Sequence, residues 1–245
     1  MIMRKSKLYI IIYVLTLIMS IPFLLACSST SALKEGQQLF TGLKPIEYSN
    51  YEKSGYADTT MLEMENVLAS APNGALFGSS YYRTPFPVRL WIWNAFSQSE
   101  GGVAKWITKA FGSKPKLMSN VNPQLRAQVA ENQLDKYGYF NGKVTYDVVT
   151  DNNPKKAKVA YHVDMGHLWT LDTVKYLGFP NEGQQLIDST RNLAVIRTGS
   201  PFNISRLEEE RQRITRLFRN NGYYFYKNGY ASYLADTLET PGKAE

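Results

Sequence analysis

The chain has 245 residues, 44% of them hydrophobic, with 17 tyrosines and a formal charge of +7. Arg4, Lys5 and Lys7 carry three of those charges, leaving +4 with no dense Lys/Arg block, which argues against a nucleic-acid binder. Cys27 is the single cysteine, so an internal disulfide and a cysteine-built metal site are excluded.

The chain opens with the basic lead Arg4, Lys5 and Lys7, followed by 19 uncharged residues from Leu8 to Ala26. A basic start, an apolar run and a small residue before the cut describe a secretory signal. Leu24-Leu25-Ala26-Cys27 resembles the lipobox of bacterial lipoproteins. That resemblance implies a signal peptide over 1–26 and a diacylglycerol, with fatty acyl chains such as palmitate, on Cys27. The competing reading is a retained transmembrane helix, since 19 residues nearly span a bilayer. Residues 27–38, rich in Ser, Thr, Gly and Gln, read as a polar tether.

Beyond the tether the pattern alternates between strand and helix. A first strand is expected over Leu43–Tyr48. A helix follows from Asp58 or Thr59 to Ser70, with Met61, Leu62, Val67 and Leu68 inward and Pro72-Asn73-Gly74 as its stop. Residues 75–120 are less regular: Tyr81–Pro87 is broken by two prolines, and Val88–Phe96 is too apolar to be left in water. Val103–Phe111 reads as a short amphipathic helix. Asn122 and Pro123 can open a helix carrying Leu125, Val129, Ala130, Leu134 and Tyr137 on one face, ended by Gly138. Two strands come next, with Val144, Tyr146 and Val148 on one face of the first and Ala157, Val159, Tyr161 and Val163 on one face of the second.

The order then returns. Leu171–Leu177 is expected as a strand and Glu182–Leu193 as a helix. Ser205-Arg206-Leu207-Glu208 has the form of a capping box for a helix with Leu207, Ile214, Leu217 and Phe218 inward and a Glu209–Arg213 pair on its wet side. Two short strands, Tyr223–Tyr226 and Tyr230–Ala235, complete the set. Tyr137-Gly138-Tyr139 and Asn221-Gly222-Tyr223 overlay with a spacing of 84 residues, which suggests a repeated unit.

Each unit thus reads β-α-α-β-β with a helix ending in Gly-Tyr. That order resembles the POTRA domain, and more closely the periplasmic part of the BamA/TamA (surface antigen D15) outer-membrane assembly factors in their Bacteroidetes lipoprotein form. The residues carrying the likeness are Leu39–Lys44, Leu76–Ser80, Pro85–Phe96, Asn122–Arg126, Tyr137–Phe140, Leu207–Arg213 and Asn220–Tyr224. It implies an α+β chain of two tandem POTRA-like β-α-α-β-β units after an N-terminal signal helix. Unit 1 covers 39–166 with a helical, aromatic insertion at 75–120, unit 2 covers 167–237, and 238–245 is a tail. Family members continue into a membrane barrel that has no room before Glu245. The chain is therefore expected to be either a barrel-less periplasmic module or a truncated fragment of such a factor.

The resemblance implies a partner-binding role for edge strands, here Lys143, Val144, Thr145, Tyr146, Asp147, Val148 and Val149, and Tyr223, Tyr224, Phe225 and Tyr226. Its implied partners are unfolded outer-membrane proteins or assembly-complex subunits, at the outer membrane facing the periplasm. Trp91, Trp93, Phe96, Trp106 and Phe111 form an aromatic cluster, expected either as a satellite core or as an exposed contact. In the exposed case the chain would be a lipid-anchored module binding a surface ligand. His162 and His167 flank Asp164 without a third ligand, so no metal is expected. Glu208-Glu209-Glu210 reads as a solvated helix face. Asn203-Ile204-Ser205 fits a glycosylation acceptor, although helix capping explains it as well. No phosphate loop, nucleophile elbow or HExxH pattern occurs, so neither enzyme activity nor a cofactor is expected.

Overall fold

The computed structural model describes residues 28–235 and 242–244. The expected signal segment, Cys27 and much of the tail lie outside the described residues. In chain order the strands β1 (Leu39–Leu43) and β2 (Glu47–Ser49) come first. Five helices follow: α1 (Gly55–Leu68), α2 (Val88–Phe96), α3 (Gly102–Phe111), α4 (Met118–Val121) and α5 (Pro123–Lys136). Then come β3 (Lys143–Thr150), β4 (Lys156–Asp164), β5 (Thr170–Leu171), α6 (Asn181–Ser189), α7 (Ile204–Asn220) and β6 (Lys243–Ala244). The mixed helix and strand content agrees with the α+β expectation. The chain divides into two compact units that interleave in sequence: residues up to Pro45 with Ala69–Pro123 and Tyr146–Tyr161, and Ile46–Leu68 with Gln124–Thr145 and His162 onward.

In the first unit β1 runs parallel to β4, with Leu39 opposite Lys156, Phe40 opposite Ala157 and Leu43 opposite Val159. The register shifts between Phe40 and Leu43, where Gly42 adopts φ 125° and a Cβ would lie 2.8 Å from the Ser80 carbonyl oxygen. Only glycine fits there. The other side of β1 is covered as well, because the Phe40 N–H donates to the Lys116 carbonyl and the Met118 N–H to the Gln38 carbonyl. All five residues of β1 are therefore buried. The single strand expected over Leu43–Tyr48 is instead two short strands separated at Pro45, which has no N–H to give a ladder.

β3 and β4 form a hairpin whose five-residue connection allows only antiparallel pairing. β4 alternates as read from its sequence, with Ala157, Val159 and Tyr161 fully buried in this unit. The expected tether is not free. Ser29, Thr30 and Leu33 are buried, Leu33 joins an apolar cluster with Leu39 and Leu90, and the Asn94 amide donates to the Ser28 carbonyl at 3.0 Å.

In the second unit β2 lies parallel to the end of β4, pairing Tyr48 with Val163. The Ser54 hydroxyl accepts the Ala57 N–H and starts α1 earlier than Asp58. The buried face of α1 is Ala57, Thr60, Met64 and Leu68, and Leu62 is exposed, so the stripe expected through Met61 and Leu62 is rotated. α5 likewise buries Ala127, Ala130 and Leu134 and leaves Leu125 and Val129 in solvent. Asn122 stands in the left-handed region (φ 46°) just before Pro123, the first residue of α5.

The repeated helix ends are real. Gly138 and Gly222 have φ 85° and 97°, and the N–H groups of Tyr139 and Tyr223 donate to the carbonyls of Leu134 and Phe218, each at 3.0 Å. Both are Schellman closures over a buried residue. At Gly138 a Cβ would lie 2.6 Å from the Phe202 carbonyl oxygen.

The strands expected after the second closure do not form. Residues 223–235 hold one 3₁₀ turn, Asn228–Tyr230, and no strand. Tyr226 stacks on Phe218 at 4.6 Å between ring centroids, so its aromatic surface is satisfied by packing and not by a ladder. The strand expected over Leu171–Leu177 shrinks to Thr170–Leu171, paired in parallel with Lys243–Ala244. The helix expected over Glu182–Leu193 ends at Ser189 and continues as a 3₁₀ turn over Arg191–Leu193.

The cap of α7 also differs. Asn203, not Ser205, accepts the Arg206 N–H, while its own amide donates to the Tyr56 hydroxyl at 2.9 Å. Asn203 is buried with both side-chain polar atoms engaged.

Candidate functional site

β3 carries the first set of sequence-selected residues. In an antiparallel pair, the N–H and C=O of successive residues point alternately toward and away from the partner strand. Asp151, just past β3, donates its N–H to the Lys156 carbonyl at 2.9 Å and so faces β4. At the other end, the Val144 N–H donates to the Glu131 carboxylate at 3.0 Å and so faces away. The two ends agree in parity. The backbone groups of Tyr146, Val148 and Thr150 therefore point outward, and among the described residues no strand pairs with β3 on that side. Thr145, Asp147 and Val149 face β4.

This edge is long and exposed. Val144 is buried and Tyr146 half-buried, whereas Lys143, Thr145, Asp147, Val148 and Val149 are exposed. Lys143 and Asp147 place a charge near each end of the segment, the usual guard against indiscriminate edge pairing. The second expected edge is absent. Tyr223, Tyr224 and Phe225 are exposed on coil, and Tyr226 is packed on Phe218, so 223–226 offers no ladder.

The aromatic cluster divides between burial and exposure. Trp91 and Trp93 are half-buried on α2; Trp91 meets Phe86 edge-on at 6.0 Å, and the Lys114 ammonium lies 5.6 Å from the Trp93 ring centre. Leu90 of the same helix enters an apolar cluster with Leu33 and Leu39, against which Leu117 packs. Phe96 is partly exposed, and Trp106 and Phe111 on α3 are exposed, so they do not enter that core. Beside α2 a cleft of about 610 Å3 is lined by Asn73, Leu76, Phe86, Arg89, Lys114 and Lys116. Asn73 in its wall is already engaged: its amide donates to the Ser113 hydroxyl and the Lys114 carbonyl, and its oxygen accepts the Lys116 N–H.

One charged centre was missed from the sequence. Glu210, expected on a solvated face, is fully buried. It accepts the Arg213 guanidinium at 2.6 Å, the Tyr176 hydroxyl at 2.7 Å and the Val195 N–H at 2.8 Å. Burial alone would raise the Glu210 pKa, but these donors together hold it below the ordinary carboxylate value. Tyr176 is pushed up, by burial first and then by its carboxylate partner, and Glu210 raises Arg213. Every carboxylate oxygen is satisfied, so the arrangement is structural. The expected Glu209–Arg213 pair is replaced by this contact, and Glu209 lies 3.7 Å from Arg206 instead.

His162 sits on β4 with its Nδ1 3.0 Å from a Glu47 carboxylate oxygen on β2. Among the described residues no group of three or more His, Cys, Asp or Glu side chains could hold a metal. No described helix is long and apolar enough to cross a membrane.

No protein-family model matches the chain, and no curated protein matches it. It is similar to the crystal structure of Haemophilus influenzae BamA POTRA3-5, at 9% identity and a TM-score of 0.30, over 87% of this chain and 97% of that one. An overlay at that score does not by itself define a shared fold.

Proposed function

We propose that the protein is a non-enzymatic, lipid-anchored POTRA-like module of the outer membrane, facing the periplasm, that captures extended polypeptide by adding a strand to β3. Its clients would be unfolded outer-membrane proteins or neighbouring assembly factors. The observation that carries this reading is the outward ladder of Tyr146, Val148 and Thr150 on an eight-residue exposed edge strand. Main-chain groups there supply affinity for any extended segment, and alternate side chains supply preference. The chain order β1/β2, α1, α5, β3, β4 over Leu39–Asp164 supports the POTRA-like reading, with α2 to α4 as the inserted part. The second expected unit contributes no edge, so recognition is assigned to β3 alone.

Titration with an extended, aromatic-rich peptide tests this by amide NMR. The amides of Tyr146, Val148 and Thr150 are expected to shift downfield as they become bonded, and those of Thr145 and Val149, already bonded to β4, to move little. Uniform small shifts, or none at millimolar peptide, would remove strand addition.

A further inference from the structure

In the α2–α3 hairpin, α3 turns Val103, Trp106 and Phe111 toward solvent. At about 100° per residue, Val103, Trp106 and Ala110 share one stripe of α3, Lys109 borders it, and Ala104 and Thr108 lie on the far side. The small pair is the inner one: Thr108 is buried and Ala104 half-buried. Val103, Trp106 and Phe111 are 74%, 62% and 51% exposed. The Trp106 and Phe111 rings meet edge-on at 5.8 Å, so the patch is continuous. Phe96, at the end of α2, is also exposed. From 88 to 116 the chain carries Arg89, Lys105, Lys109, Lys114 and Lys116 against Glu100 alone.

The membrane attachment proposed above falls next to this hairpin in the chain. The Ser28 carbonyl accepts the Asn94 amide of α2, and Ser29 and Thr30 are buried. The uncharged run Leu8–Ala26 and Cys27 immediately precede that contact. On either form of the proposed attachment, a retained run or a lipid on Cys27, the attachment point lies one residue from a side-chain contact to α2. One residue spans at most about 3.6 Å, so no flexible spacer separates hairpin from membrane.

We infer that the exposed face of the α2–α3 hairpin docks on an anionic phospholipid surface. Trp106, Val103 and Phe111 enter the interfacial layer, and Lys109 beside them meets headgroup phosphates. This inference rests on the membrane-attachment part of the proposed function and is independent of strand capture by β3. The anchor would hold the protein at the bilayer, and the hairpin would fix its orientation there.

The test uses the full-length chain, reconstituted through its own anchor into vesicles of phosphatidylcholine and phosphatidylglycerol, with chain-brominated lipids in a parallel sample. Brominated chains are expected to quench a component of the tryptophan emission that aqueous iodide does not reach. That component should be missing in Trp106→Phe, and Val103→Glu should reopen Trp106 to iodide with an unchanged circular dichroism spectrum. Equal iodide quenching of Trp106 before and after reconstitution would overturn the docking. So would shielding from iodide and from bromolipid together, which is what a protein partner on this face would produce. Failure of the attachment itself is read separately: a wild-type chain that does not co-sediment with vesicles sinks the anchor reading. An anchored chain with Trp106 open to iodide sinks docking alone.

Discussion

Replacing Glu210 with alanine removes the acceptor for three groups at once. Arg213 loses its carboxylate at 2.6 Å with its own side chain only 12% exposed, and the Tyr176 hydroxyl and Val195 N–H lose theirs. Breaking one side of a buried ion pair costs about 3–5 kcal/mol, because the remaining charge is left without compensation. In a structure of this size that corresponds to a fall in Tm of about 6–20 °C. Differential scanning calorimetry of Glu210→Ala beside Glu209→Ala, whose side chain is exposed, measures it. The control should stay within about 0.5 kcal/mol. The pH dependence adds a second readout. The Glu210 pKa is lowered in the folded state, so its contribution is complete above the unfolded value near 4.5 and is lost as pH falls through the lowered one. Wild type should lose this stability increment only as pH falls below the ordinary carboxylate value, and Glu210→Gln should lack the increment at every pH. A Glu210→Ala cost below about 1 kcal/mol would refute the buried network, because it would mean that solvent already satisfies these groups.

The parity of β3 is tested by two neighbouring prolines. Val148→Pro removes an outward N–H and should abolish peptide binding with the fold retained. Val149→Pro removes an N–H facing β4 and should cost about 1–3 kcal/mol in urea unfolding. Phe77 holds φ 51° with its side chain fully in solvent, so Phe77→Gly should stabilise by about 1 kcal/mol in the same assay. Cys27→Ala should leave the circular dichroism spectrum unchanged and release the protein from membrane fractions; retention in alkaline-washed membranes would instead favour the uncleaved apolar helix.

Local signals were legible where they are decided locally. The alternation of Ala157, Val159, Tyr161 and Val163 needs only a period of two, and all four prove buried. The Gly138 and Gly222 closures need only a residue free to take a positive φ after a helix. Hydrophobicity identified the inner face of α1 and α5 only in part: Leu68, Ala130 and Leu134 lie inward as expected, but Leu62, Leu125 and Val129 lie outward while Ala57 and Ala127 lie inward. Which stripe turns in depends on how closely a neighbour can approach.

Cys27, the basic lead and the 19-residue uncharged run are properties of the sequence by itself, as are the helix ends and the face of β4. They depend on residues within a few positions of one another. Tertiary structure alone decided that Glu210 is buried among Tyr176, Val195 and Arg213, which lie 34, 15 and 3 residues away. It also decided that Tyr223 and Tyr226 pack on Phe218 instead of joining strands, and that β5 pairs with β6. A backbone group or ring takes whichever partner the rest of the chain brings within reach, and that choice has no local period.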